Sequence, residues 1–282
     1  MKKHRRQRKR MKSKSIAAPY TVWMVIFIIV PMILVAYFAF TDSTGSFTLE
    51  NIMKVGQYSN VFLRSIWMGA VATLISFILG YPLAYIIAKS GARTQAVMVM
   101  LVMLPMWMNF LLRTYSWMSL LEDNGIINNL LASIGLPRVH MINTAGAVVL
   151  GMVYNYIPYM ILPIYSILAK MDNSVIEAAQ DLGANEFHVF MKVTFPMSMP
   201  GIISGITMVF VPSVSTFIIS KMLGGGGNLL IGDLIDMQFL GSAYNPNLGS
   251  AISLVLMVII IICMGIMNQF DDGDEISGGV ML

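Results

Sequence analysis

Three groups of side chains in this sequence have types and spacings that could do chemistry. In LPMWMNFLLRTYSWM, Asn109, Arg113 and Trp117 recur every four residues, so on one continuous helix they share a face, with Trp107 on a neighbouring flank. In YNYIPYMILP, Tyr154, Tyr156 and Tyr159 flank Pro158, which removes a backbone donor and can open or kink a helix. The face of an aromatic ring attracts a cation, so such a line of rings forms a surface for a positively charged ligand. The third group is the insert EAAQDLGANEFHVFMKVTFP, Glu177 to Pro196, whose Glu177, Asp181, Glu186 and Lys192 sit between two long apolar stretches.

Other chemistries lack their residues. His4, His140 and His188 all fall at or beyond the borders of the apolar runs, which leaves no base for a serine hydrolase and no zinc set inside them. Cys263 is the only cysteine, so no intramolecular disulfide or cysteine metal cluster is expected. No Asp or Glu lies inside an apolar run, whereas transporters driven by a proton or sodium gradient commonly keep one there. No catalytic residue and no metal site are expected, and the chain is not expected to be an enzyme. Trp and Tyr near helix ends also form interfacial belts, an alternative for Trp117 and Tyr115. Arg113 is expected to snorkel outward or to pair with Glu122 or Asp123.

The elements that position these groups must be membrane helices. Of the 282 residues, 57% are hydrophobic and only 11% charged, and the mean hydropathy is +0.74, far from the balance of a soluble domain. A bilayer core about 30 Å thick asks for about 20 apolar residues per helix. Six runs free of Asp, Glu, Lys and Arg are long enough: Ser15 to Thr41, Ser65 to Ala88, Thr94 to Leu112, Val139 to Ala169, Val193 to Ser220 and Met237 to Phe270. The third continues after Arg113 as TYSWMSLL, so its helix is expected to reach about Leu120. Alternation of period two is absent, which argues against an outer-membrane barrel. The expected fold is all-α, a polytopic membrane protein of six transmembrane helices. Pro31, Pro82, Pro105, Pro163 and Pro212 fall inside these runs, as suits helices that open a path.

With the N-terminus inside, thirteen of the 18 Lys and Arg lie on the cytoplasmic side, nine of them in residues 1–14. Both termini are therefore expected in the cytoplasm of a multi-pass cell-membrane protein. The divisions are a basic tail at 1–15, a six-helix domain at 16–270 and an acidic tail at 271–282, with a cytoplasmic loop at 171–196 and an extracytoplasmic loop at 222–247. Because the basic tail directly precedes a span, it reads as an anchor on the lipid bilayer and not as a nucleic-acid-binding segment. The first run is longer than the 7–15 apolar residues typical of a signal peptide and no convincing A-x-A site follows, so it is expected to remain as the first helix.

Local signals give the charged insert its shape. Ser174 and Glu177 fit a capping box for a helix from about Val175 to Leu182, with Gly183 supplying a left-handed turn. Asn185 can cap a second short helix, EFHVFMKV, which would end before Pro196. Ala178, Ala179 and Gly183 leave a shallow face that another protein can approach, with Glu177 and Asp181 aligned beside it. Glu177 as a mere cap residue is the plainer alternative.

This stretch resembles the EAA loop of ABC importer permeases, whose pattern is E-A-A, three residues, Gly, nine residues, then I-x-L-P. Glu177, Ala178 and Ala179 are followed three residues later by Gly183, and nine residues beyond by Val193, Thr194, Phe195 and Pro196. Valine replaces Ile and phenylalanine replaces Leu. The longer segments around Asn109, Tyr154 and Gly224 are similar to the first permease subunit of spermidine/putrescine importers. The branches for ferric iron, thiamine and phosphonates share much of this, so those solutes are alternative cargoes, and an autonomous channel is an alternative of another class.

The resemblance implies the type I ABC importer architecture, a homologous sister permease, a cytoplasmic ABC ATPase dimer and an extracytoplasmic substrate-binding protein. It implies that Glu177, Ala178, Ala179, Asp181, Gly183 and Pro196 belong to a coupling loop seated in a groove of the ATPase. ATP and Mg2+ would be bound on that partner, since this chain has no G-x-x-x-x-G-K-[ST] loop. GGGGN at Gly224 to Asn228 lacks the lysine and lies on the outer side. For a polyamine cargo, Trp107, Asn109, Tyr154, Tyr156 and Tyr159 are the candidate path residues. In the outer loop, Asp233 and Asp236 are candidates to meet the binding protein and receive the cation; a flexible glycine connector is the plainer alternative.

Overall fold

Four helices are long and apolar enough to cross a bilayer, and two bent pairs bring the possible number of spans to six, among residues 19–241 and 243–269, which this computed structural model describes. The tails at 1–15 and 271–282 lie outside the described residues. The helices are α1 Pro19–Ala39, α2 Ser59–Lys89, α3 Ala92–Trp107, α4 Phe110–Leu121, α5 Ile126–Ser133, α6 Ala145–Leu168 and α7 Asn173–Asp181. They continue as α8 Glu186–Met197, α9 Met199–Ser215, α10 Ile218–Leu223, α11 Ile231–Phe239 and α12 Pro246–Gln269.

The chain groups into two compact units, residues 19–58 with 237–258, and residues 59–236 with 259–269. In the first unit, α1 is apolar on all sides and few of its side chains are buried. A tight loop follows it, closed by a bridge between Thr41 and Phe47 and by stacked rings of Phe40 and Phe47, 6.2 Å apart. The Asp42 carboxylate accepts hydrogen bonds from the Thr44 hydroxyl and from the Ser46 and Thr44 amides, which hold its pKa below the ordinary value. The side-chain amides of Asn51 and Asn247 both donate to the Thr41 carbonyl, at 2.8 and 2.7 Å, and tie this loop to the elements that follow and end the unit.

The second unit is built on α2, α6 and α9, which pack along much of their lengths. Two clusters form its core. One joins Met68, Ala72, Val148, Met152, Ile219 and Leu223; the other joins Tyr81, Ala84, Ile87, Met160, Ile164 and Val209. Lipid gives helices no hydrophobic reason to associate, so close packing through small residues has to hold them. At Gly151 on α6 an added Cβ would lie 2.6 Å from Leu223 of α10, closer than two carbons can approach.

Three predicted spans are corrected. The third does not continue to Leu120 as one helix: it breaks after Trp107, and the following helical segment leaves at 89°. Met108 and Asn109 are extended there, and the Asn109 side chain caps α4 by accepting from the amides of Leu111 and Leu112. The fifth is interrupted at Ser198, with 61° between its parts, and its second part stops at Ser215, short of Ser220. Pro200 cannot donate to the preceding turn, which weakens the ladder where it bends. The sixth begins at Pro246, a residue suited to a first helical turn, while residues 237–239 belong to α11. Two prolines are accommodated without a break: a π-helical turn at Val25–Ile29 precedes Pro31, and another at Phe190–Thr194 precedes Pro196.

Candidate functional site

The charged insert folds as a helix, turn and helix. Its cap is Asp172 and not the expected Ser174: the Asp172 carboxylate accepts from the Ser174 amide at 2.9 Å, so the helix starts at Asn173. That amide lowers the Asp172 pKa. Gly183 takes a left-handed φ of +87°. Its amide donates to the Gln180 carbonyl at 2.8 Å and that of Ala184 donates to Ala179 at 3.1 Å, which closes α7 as a Schellman turn. Asn185 caps α8 by accepting from the His188 amide at 2.9 Å. Unlike the predicted short helix, α8 runs through Pro196.

Glu177, Ala178, Asp181 and Gly183 are exposed, and Ala179 is half-buried. No residue of α7 is buried. At the turn, Leu182 is 89% and Phe187 69% exposed, and Val175 and Ala178 lie on the same face of α7 as Leu182. The insert thus offers an apolar tip edged by two carboxylates, a surface for a protein partner. The sequence signals of charge and small size missed Leu182 and Phe187; their large side chains beside the turn glycine were the available clue.

The far end of the insert is anchored in aromatic packing. Phe190 and Phe195 of α8 contact Tyr81 of α2 with ring centroids 5.9 and 5.6 Å apart, and Phe190 also meets Tyr85 at 5.7 Å. The Tyr81 hydroxyl lies 3.1 Å from the Ser198 hydroxyl, at the bend between α8 and α9. A displacement of the insert therefore bears directly on α2 and on the bend.

The ring groups meet only in part. Asn109 leaves the helix to cap it and is exposed, so it does not share a helical face with Arg113 and Trp117. Trp107 is 72% exposed at the end of α3. Trp117 packs edge-on against Tyr154 at 5.3 Å, and Tyr156 lies 6.5 Å from Tyr159. Neither expectation for Arg113 holds: it is only 7% exposed, its Nη1 donates to the Pro105 carbonyl at 2.7 Å, and Asp123 pairs with His140 instead. The guanidinium lies 5.9 Å from the Phe110 ring and 6.0 Å from that of Tyr154, contacts worth up to about 2 kcal/mol each where water is excluded. The Pro105 carbonyl also accepts from the Met108 amide at 3.2 Å, so Arg113 adds a second donor to it from across the elbow.

The glycine-rich loop after Leu223 is built, not slack. Gly225 and Gly226 turn with φ of +59° and +73°. Arg64 of α2 donates to the Gly227 carbonyl at 2.9 Å and to the Asn228 side chain, while Asn228 donates to Asn143 and Gly224, each at 3.1 Å. Asp233 is 4% exposed and turns inward, accepting from the Leu230 amide at 2.8 Å. Burial raises its pKa, against the lowering by that amide and the Ser220 hydroxyl. Asp236 pairs with the exposed Lys221 at 3.1 Å.

A family profile described as "Binding-protein-dependent transport system inner membrane component" matches residues 80–272. The chain is 38% identical over 247 residues to "Spermidine/putrescine transport system permease protein PotB" of Haemophilus influenzae (strain ATCC 51907 / DSM 11121 / KW20 / Rd), covering 84% of this chain and 86% of the relative. To the protein of the same description from Escherichia coli (strain K12) it is 34% identical over 255 residues, 87% of this chain and 91% of that one. Its fold is similar to a chain in "Crystal structure of a bacterial ABC transporter involved in the import of the acidic polysaccharide alginate", with a TM-score of 0.80 at 17% identity, covering 95% of this chain and 98% of that chain.

Proposed function

Because the chain belongs to the family of binding-protein-dependent transport system inner membrane components, we propose that it is the permease subunit through which an ATP-driven importer passes polyamines such as spermidine and putrescine. The observation that carries the cargo is the identity of 38% and 34%, over most of the chain, to two permeases described by those solutes. The chain is a multi-pass protein of the cell membrane. In the proposed assembly it pairs with a homologous sister permease, receives cargo from an extracytoplasmic binding protein and docks a cytoplasmic ABC ATPase dimer. ATP and Mg2+ are held on the ATPase, and this subunit performs no covalent step. Its termini and the insert at 171–196 face the cytoplasm.

The insert is the docking device. Leu182, Phe187 and Ala178 form the apolar contact, Ala179 and Gly183 keep the turn compact, and Glu177 and Asp181 meet basic residues of the ATPase. Motion of the docked tip travels through Phe190 and Phe195 to Tyr81, and through Pro196 to the bend at Ser198. In the path, Tyr154, Tyr156 and Tyr159 supply weak acceptor surfaces for ammonium groups, with Trp107 and Asn109 at the elbow. Outside, Asp236 is the carboxylate of the outer loop placed to meet the binding protein, and the inward Asp233 holds that loop's helix in place.

The test is uptake of radiolabelled spermidine into proteoliposomes holding the four-component complex. Uptake that needs both ATP and the binding protein supports the assignment. Uptake with neither identifies a channel, and ATP-dependent uptake of thiamine, an iron carrier or a phosphonate without spermidine moves the cargo to another branch.

A further inference from the structure

Arg113 is out of place in a passage for cations. A guanidinium stays protonated in proteins, and this one is more than nine-tenths buried beside Tyr154, a leading path residue. Among the described residues the ion pairs are Lys54 with Glu50, His140 with Asp123 and Lys221 with Asp236, so no carboxylate neutralises it. Its Nη1 is satisfied by the Pro105 carbonyl, while its Nε has no hydrogen-bond acceptor. The Tyr154 ring therefore already holds a cation of the chain's own.

We propose that Arg113 is a specificity-determining residue whose resident charge keeps an ammonium group from lodging on the Tyr154 ring, so that a polycation passes instead of being trapped. This rests on the polyamine assignment above. Aromatic surfaces bind alkylammonium groups well when water is excluded, and Trp117, Tyr154, Tyr156 and Tyr159 supply several rings here. Conduction requires a site weak enough to leave. Two like charges in a low-dielectric interior repel far more than in water, so a fixed guanidinium at this ring lowers the affinity for a second cation. A carboxylate would do the reverse, and among the described residues none forms an ion pair with Arg113.

A mere staple for the elbow makes a different prediction from a charge. Lysine keeps the charge but loses the planar fork, whereas glutamine keeps a donor and loses the charge. In the complete transporter without binding protein, retention of radiolabelled spermidine is measured by filtration, alongside ATP-driven uptake with binding protein. The wild type and Arg113→Lys are expected to retain little. Arg113→Gln is expected to retain at least tenfold more and to turn over correspondingly slower, and adding Tyr154→Leu is expected to remove the gain in retention. Arg113→Met, which also lacks the charge, replaces Gln if that variant does not assemble. Equal retention and uptake in the Lys and Gln variants, or no gain without the charge, overturns the proposal. So does failure of both neutral variants to assemble while the Lys variant assembles, because the charge is then structural. Absence of spermidine uptake by the wild type would instead sink the polyamine assignment.

Discussion

The insert at 171–196 and the elbow at 105–117 are both turns between helices, yet they are held in opposite ways. The insert is closed by its own neighbours, a cap at Asp172, a Schellman turn at Gly183 and a cap at Asn185, all within a few residues. The large side chains at its tip, Leu182 and Phe187, point away from the chain, while Phe190 and Phe195 anchor its far end on Tyr81. The elbow is also capped locally, by Asn109, but its Arg113 is enclosed by a carbonyl eight residues back and a ring on α6. A self-contained turn with its large side chains outward can move as a unit against a partner. A turn locked into the core fixes where its charge sits.

That contrast can be broken at the insert first. Gly183→Val places a β-branched residue at φ +87°, where a Cβ costs about 1–2 kcal/mol or more from backbone strain alone. Uptake and binding-protein-stimulated ATPase activity are expected to fall more than tenfold, with Gly183→Asn much milder because asparagine tolerates this conformation. Leu182→Asp should weaken co-purification of the ATPase by about tenfold, as loss of a central apolar contact would, without lowering the thermal stability of the permease. Equal loss of stability would return Leu182 to the fold.

At the elbow the expected effects are smaller and of another kind. Tyr154→Ala should slow polyamine uptake several-fold and leave ATPase association intact; unchanged uptake would make the ring a packing residue. The smallest effect lies behind the glycine-rich loop. Burial raises the Asp233 pKa above its ordinary 3.8, so the protonated form is favoured by folding. The stability this contributes is present below 3.8 and is lost as the pH rises through the raised value. Asp233→Asn should therefore flatten the dependence of the melting temperature on pH between 3.8 and the raised value, and an unchanged slope there would remove Asp233 from the account.

The sequence revealed most about what short-range physics controls. Apolar run lengths located six candidate spans because lipid demands about 20 apolar residues per helix, and Gly183 and Asn185 marked their turns because few residues do those tasks. The breaks were illegible for the same reason: Asn109 caps the amides of Leu111 and Leu112 beyond the first, and at the second the Ser198 hydroxyl meets Tyr81, which only the fold brings near, so hydropathy runs straight through. Arg113 was misplaced because its partners, Pro105 and Tyr154, are set by the elbow itself. Asp233 looked like a surface acid beside flexible glycines, whereas Arg64 and Asn228 order that loop and the helix behind it turns the carboxylate inward.

The most direct test is the ATPase activity of the reconstituted complex, permease pair, ATPase and binding protein together, measured against a panel of polyamines and unrelated solutes. The account predicts stimulation by spermidine or putrescine that disappears with Gly183→Val. Stimulation by thiamine, a phosphonate or an iron carrier with none from either polyamine would contradict the cargo, and full stimulation of the Gly183→Val complex would contradict the coupling role of the insert.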